Sequence, residues 1–198
     1  GEHEPQMLSN RVIFHQSGDA LARHAIVERD RSSGWTEDLA FTWTHLGSSN
    51  VELRHAARLD LEKEPPSSWT YRLKKETNRD RLLMGLLALA RVGSMQEMEP
   101  FWRHLLESSP KVVDQWQNLV RLRIITVAIS RSGPPEAETR EKLLHFTERL
   151  FPAKPDDSPD GPPLERLNRE LCRLLVYLKS PNVIEKTMPL LTAAKTSE

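Results

Sequence analysis

Seven histidines, one cysteine, five tryptophans and several regularly spaced arginines are the residues of this chain with chemistry to offer. His45 and His55 flank a glycine-containing turn and could meet across it, but their spacing is not that of a zinc site. Surface or capping positions account for both. Cys172 stands between Leu171 and Arg173 and close to Leu175. A thiolate nucleophile needs a depressed pKa and a paired base. No base can be assigned here, so the thiol reads as an inert, buried side chain. A single cysteine also rules out an intramolecular disulfide. The sequence contains no glycine-rich phosphate loop, no Gly-x-Ser-x-Gly and no His-Glu-x-x-His. No residue is assigned to catalysis, to a cofactor or to a metal, and the chain is read as a non-enzyme.

The arginines point to recognition instead. Arg166, Arg169, Arg173 and Tyr177 form the outward strip of a helix expected over Leu164–Lys179. Asp80, Met84, Ala88 and Arg91 form that of a helix over Asn78–Gly93, and Arg121 holds a similar place on the helix between them. If these three helices are the inner ones of an array, Met84, Arg91, Arg121, Arg166, Arg169, Arg173 and Tyr177 line a partner-binding groove. Guanidinium groups suit bidentate contact with carboxylate or phosphate. Glu165 and Glu170 interrupt the strip, as they would on a merely solvated face. Trp35, Trp43, Trp69, Trp102 and Trp116 sit beside leucines and read as packing residues. One left exposed would serve as an anchor for a partner.

The elements that carry these residues follow from apolar spacing. The strongest is NRDRLLMGLLALARVG, Asn78–Gly93, apolar around most of its circumference, so it needs neighbours on more than one side. Thr77 or Asn78 is placed to cap its start, and Gly93 to end it in a left-handed conformation. Gly85 in its middle costs about 1 kcal/mol relative to alanine, which a close helix–helix approach or a partner's backbone would explain. Helices are also expected over Asp19–Arg29, Thr36–Leu46, Val51–Leu61, Met95–Glu107, Lys111–Ser130, Glu136–Phe151 and Val183–Ala194, with a short amphipathic piece around Trp69, Tyr71 and Leu73. Ile124-Ile125-Thr126-Val127 would suit a strand by propensity, but the i, i+3, i+4, i+7 spacing holds throughout and favours helix. Asn50 is the natural cap after the turn Gly47-Ser48-Ser49-Asn50. Breaks fall at Ser32-Ser33-Gly34, Pro65-Pro66, Ser108-Ser109-Pro110, Gly133-Pro134-Pro135 and Ser180-Pro181-Asn182. Residues 1–17 form an arm in which Arg11–His15 (RVIFH) has strand character. Residues 18–198 form one helical-repeat domain, with PAKPDDSPDGPP, Pro152–Pro163, as an inserted loop too poor in apolar surface to fold alone.

Helix, short polar turn, then helix recurs at Trp43–Leu61, Leu82–Leu106 and Leu171–Leu191. Such units cannot bury their apolar faces singly and must stack. The stretch LGSSNVELRHAARLDL resembles a HEAT repeat through Leu46, Asn50, Leu53-Arg54, Ala56-Ala57 and Leu61. The resemblance implies an all-α, armadillo-like superhelix of about four hairpins, with degenerate spacing of roughly thirty to fifty residues against about forty in regular units. In that family the arginine reaches an acidic residue in the preceding turn. The turn here is Gly-Ser-Ser-Asn, so Arg54 is expected to bond backbone carbonyls instead. More narrowly, RHAARLDLEKEPPSSW, LLALARVG and LNRELCRLLVYLKSPNVIEKTMPLL are similar to the helical region of large secreted bacterial proteins typical of planctomycetes. There the region follows a β-propeller dehydrogenase-like domain and precedes a c-type haem domain. This chain has no Cys-x-x-Cys-His, so haem attachment does not carry over. What the resemblance implies is an extracytoplasmic spacer or docking module with no cofactor.

Three functions compete at this point. The first is a scaffold for a protein partner or a neighbouring domain of a larger parent chain. The second is a HEAT-like nucleic-acid-binding or glycosylase-type repair protein. Residues 65–133 hold 11 Lys/Arg against 6 Asp/Glu, which motivates it, but the formal net charge of zero over 198 residues works against it. The third is an enzyme on a helical scaffold, for which no polar pocket can be nominated. No apolar run reaches membrane-spanning length. The chain opens with Gly1 and no signal peptide is visible, as in an excised fragment or processed product.

Overall fold

Apolar residues recurring every three or four positions become helices throughout the computed structural model, which describes residues 18–27, 37–107, 114–155 and 162–193. Helix α1 covers 18–27. It is followed by α2 (Glu37–His45), α3 (Val51–Leu61), a 3-10 turn (Pro66–Ser68), α4 (Thr70–Leu73) and α5 (Arg79–Val92). Then come α6 (Met95–Glu107), α7 (Gln115–Ser132), α8 (Ala137–Leu150), α9 (Leu164–Tyr177) and α10 (Val183–Ala193). No strand occurs among the described residues, and the fold is all-α. The expected arm with Arg11–His15, the break at Ser32-Ser33-Gly34, Trp35, the turn at Ser108-Ser109-Pro110, Lys111–Val113 and positions 156–161 of the inserted loop lie outside the described residues. The helices gather into two compact units, Gly1–Val92 and Gly93–Glu198.

In the first unit α5 packs against α2, α3 and α4, the multiple neighbours that its apolar circumference demands. The core of this unit includes Leu46, Leu53, Leu61, Trp69 and Leu73, all buried. Gly85 is a point of close approach. A Cβ there would lie 2.8 Å from Leu73 Cδ2 and 3.3 Å from Trp43. Trp43 and Trp69 meet with ring centroids 6.4 Å apart, and the Trp43 indole N–H donates to Glu76 at 2.6 Å. Arg72 lies over the Trp43 ring at 5.8 Å, within range of a cation–π contact.

The caps follow short polar side chains. Asn50 Oδ1 accepts from the N–H groups of Glu52 and Leu53, and Asn78 Oδ1 from that of Arg81. Arg54 donates to the Ser48 carbonyl at 2.6 Å, the carbonyl contact expected where the turn lacks an acid. The end of α5 differs from expectation. Among the described glycines only Gly133 has a positive φ, so Gly93 is not a left-handed cap. Its carbonyl instead accepts from Arg131 at 2.8 Å. The expected outward strip of α5 is also narrower. Ala88 is fully buried and Met84 half-buried, because helices surround α5, leaving Asp80 and Arg91 exposed.

In the second unit α9 is central, packing against α7, α8 and α10. Leu167, Leu171, Leu174, Leu175 and Leu178 form its buried stripe. Two caps here were not anticipated. Ser94 and Glu97 make half of a capping box at the start of α6: the Glu97 carboxylate accepts from the Ser94 N–H at 2.6 Å and from its hydroxyl, while the Glu97 N–H bonds the Ser94 carbonyl. Asp114 caps α7 by accepting from the Gln117 N–H at 2.7 Å. Helix α7 ends at Gly133, φ 81°. Helix α9 ends in a Schellman motif, Ser180 N–H to Leu175 O at 2.9 Å and Lys179 N–H to Val176 O at 3.1 Å. The left-handed position that glycine usually fills is held by Lys179, φ 60°.

Helices α8 and α10 are clasped by polar side chains, and α10 caps the end of α8. Ser180 Oγ and Asn182 Nδ2, just before α10, both donate to the Glu148 carboxylate near the end of α8. From α10, Lys186 Nζ donates to the Glu148 carbonyl at 3.0 Å and the Phe151 carbonyl at 3.4 Å. The Ser180 hydroxyl, with help from Asn182, Lys186 and His145, holds the Glu148 carboxyl below its ordinary range against a smaller opposing effect of burial. The start of the inserted loop is fastened too. Ala153 N–H donates to Asn168 Oδ1 at 2.7 Å, and Gln115 Nε2 donates to the Lys154 carbonyl.

Candidate functional site

Helix α7 buries apolar residues on most of its surface, and α9 buries one leucine stripe against it. What remains polar on the two helices beside their contact converges on one open groove of about 790 Å³. From α7 come Leu119, Arg123, Thr126, Ile129 and Ser130, and Gly133-Pro134 line the end where α7 stops. From α9 come Arg166, Glu170, Arg173, Leu174 and Tyr177, recurring at intervals of three and four along one face. Leu119 and Leu174 are buried and give the groove an apolar floor, whereas Tyr177 is 47% exposed.

The charge is unbalanced. Arg173 donates to Glu170 at 3.1 Å, a pair both of whose members line the groove. Arg123 and Arg166, both exposed, have no ion-pair partner among the described residues. Some surface cations elsewhere are engaged, Arg23 with Glu52, Arg91 with Glu62, Arg103 with Glu99 and Lys142 with Glu138, whereas Arg140, Arg149 and Arg169 are likewise exposed without an ion pair among the described residues. The Thr126 hydroxyl turns back to the Leu122 carbonyl at 2.8 Å, so the guanidinium groups and the Tyr177 ring are the most prominent groups presented to a ligand.

Of the residues expected to bind a partner, the structure brings Arg166, Arg173 and Tyr177 together in this groove. Arg169 is exposed on α9 but does not line it. Arg121 is buried at 3% exposure, and the α7 arginine facing the groove is Arg123, two positions on. A signal for Arg123 lay in the sequence, since Arg123, Thr126 and Ser130 recur at i, i+3 and i+7 as the polar line of an otherwise apolar helix. Met84 and Arg91 belong to the first unit, where Arg91 Nε sits 3.0 Å from Glu62.

The remaining candidates take structural places. His45 bonds the Phe41 carbonyl one turn back, and His55 faces Arg58 at 3.0 Å. Cys172 is half-buried, with Sγ 3.6 Å from Thr187 Oγ1. Trp43, Trp69 and Trp102 are buried, and Trp116 is exposed on α7. Among the described residues no cluster of three His, Cys, Asp or Glu side chains could hold a metal ion, and no helix is long and apolar enough to cross a membrane. No protein-family model, curated protein or solved structure matches the chain.

Proposed function

We propose that this chain is a non-catalytic interaction module of HEAT-like α-solenoid type, which holds a protein partner or a neighbouring domain of a larger parent chain. The observation that carries this reading is the groove between α7 and α9, where Arg123 and Arg166 have no ion-pair partner among the described residues and stand around an apolar floor. Arginine stays protonated across the working pH range. A site whose unpaired charges are guanidiniums therefore suits recognition of an anion. The solenoid reading draws on the pairing of helices. Within the second unit α6 meets α7 and α8, and α9 meets α7, α8 and α10, which is what stacked hairpins produce. The spacer or docking role implied by the resemblance to secreted bacterial proteins is part of the same proposal.

The test is site-specific crosslinking. A photoreactive phenylalanine analogue in place of Tyr177 is expected to capture one discrete protein or a domain of the parent chain. The same group in place of Arg103, on α6, is expected to capture none. Recovery of neither a partner nor a neighbouring domain from the Tyr177 position would count against the module.

A further inference from the structure

We infer that the α7/α9 groove takes an acidic amphipathic helix, an inference that rests on the interaction-module reading above. The two walls are of equal length. Leu119 to Ser130 on α7 and Arg166 to Tyr177 on α9 each span eleven positions, about 16 Å at 1.5 Å per residue. That is the length of about three helical turns. The trough between two packed helices presents an apolar floor, Leu119, Ile129 and Leu174, to which an apolar stripe at i, i+3, i+4 and i+7 is complementary. The cations flank that floor on both sides, Arg123 from α7 and Arg166 and Arg173 from α9. A helix lying on the floor would therefore carry carboxylates along both borders of its apolar stripe. Arg166 and Arg173 are seven positions apart, about 10.5 Å along α9. Acidic residues at i and i+7 on the docked helix match that interval. Glu170 lies between the two arginines and is already engaged with Arg173. It disfavours a continuous run of negative charge and favours charges spaced by two turns. A phosphate backbone offers such a run but no apolar stripe, and the zero net charge of the chain supplies little of the counterion release that drives nucleic-acid affinity.

The experiment uses the whole chain and a fluorescently labelled synthetic peptide of about 15 residues. The peptide is helical, with a leucine stripe and glutamates at i and i+7 on its borders. Anisotropy is expected to show binding that weakens as ionic strength rises. The double variant Arg123→Glu/Arg166→Glu is expected to lower affinity by about tenfold or more, with the helical circular dichroism unchanged. Arg103→Glu, outside the groove, is expected to leave binding as it was. Replacing the peptide glutamates by glutamine is expected to weaken binding as the charge reversal does. Equal binding of the glutamine peptide, or full affinity in the Arg123/Arg166 variant, would overturn the inference. So would a DNA duplex that displaces the peptide at lower concentration. If the Tyr177 crosslink captures a partner through a segment that is not acidic, the acidic helix is refuted while the module stands. If that crosslink captures nothing and the peptide does not bind, both fall.

Discussion

Replacing Gly85 by alanine sets two known effects against each other. In a solvated helix the change would stabilise by about 1 kcal/mol, because alanine is the better helix former. At this position the new Cβ would sit 2.8 Å from Leu73 Cδ2 and 3.3 Å from Trp43, and both neighbours are themselves buried. Overpacking a filled core costs about 1–3 kcal/mol, so the expected net result is a loss of about 1 kcal/mol. Leu73→Ala alone removes the atom that collides and should cost about 2–5 kcal/mol by leaving a cavity. The double variant Gly85→Ala/Leu73→Ala should then cost less than the sum of the singles by about 1 kcal/mol, since the methyl group enters the vacated space. Urea denaturation followed by tryptophan fluorescence measures all three, with Trp43 and Trp69 beside the site as reporters. A stabilised Gly85→Ala variant whose effect adds to that of Leu73→Ala would refute the close approach of α5 to α2 and α4.

Three further outcomes are expected. Thr42→Val removes the hydroxyl that donates to the buried Asp60 carboxylate at 2.8 Å and should cost about 2 kcal/mol in the same denaturation assay. Lys179→Gly should stabilise by about 1 kcal/mol, since φ is 60° there, and Gly133→Ala, at φ 81° and ψ −176° with no atom within 4 Å of the new Cβ, should destabilise by more, about 1–3 kcal/mol, through backbone strain alone; the shift in thermal midpoint of each variant decides. The Glu148 carboxyl is held below its ordinary value of 4.5, so its contribution to stability is complete above that pH and is lost as pH falls through the lower folded-state value. Glu148→Gln should accordingly be less stable than the parent at pH 7 and converge with it in acid, and a gap between the two that stays constant down to pH 3 would remove the argument.

The helices were legible because their apolar spacing is strong, and Asn50 and Asn78 were legible as caps because short polar side chains before a periodic run have one common use. Gly85 announced a close approach through its cost in a helix interior. Ser94 and Glu97 carried the capping-box spacing in plain view, yet a Met-Gln-Glu-Met start hid it. Lys179 gave no sign, since a left-handed residue other than glycine is imposed by tertiary context. The polar clasp between α8 and α10 joins residues more than thirty positions apart, beyond the reach of any local pattern. At the groove, the register of α9 was readable from a single leucine stripe. That of α7 was harder to read, because buried side chains, Arg121 among them, occupy so much of its circumference, and only the recurrence of Thr126 and Ser130 at i+3 and i+7 singles out Arg123.

The way α10 is fastened has a consequence for how the second unit comes apart. Ile184, Met188 and Leu191 on this helix look away from the core, so much of its grip comes from the polar clasp at its first turns. Such a clasp answers to protons, whereas leucine packing does not. Acid below pH 4.5 should therefore loosen α10 as a separate event, with its amides exchanging early while those of α7 and α9 stay protected.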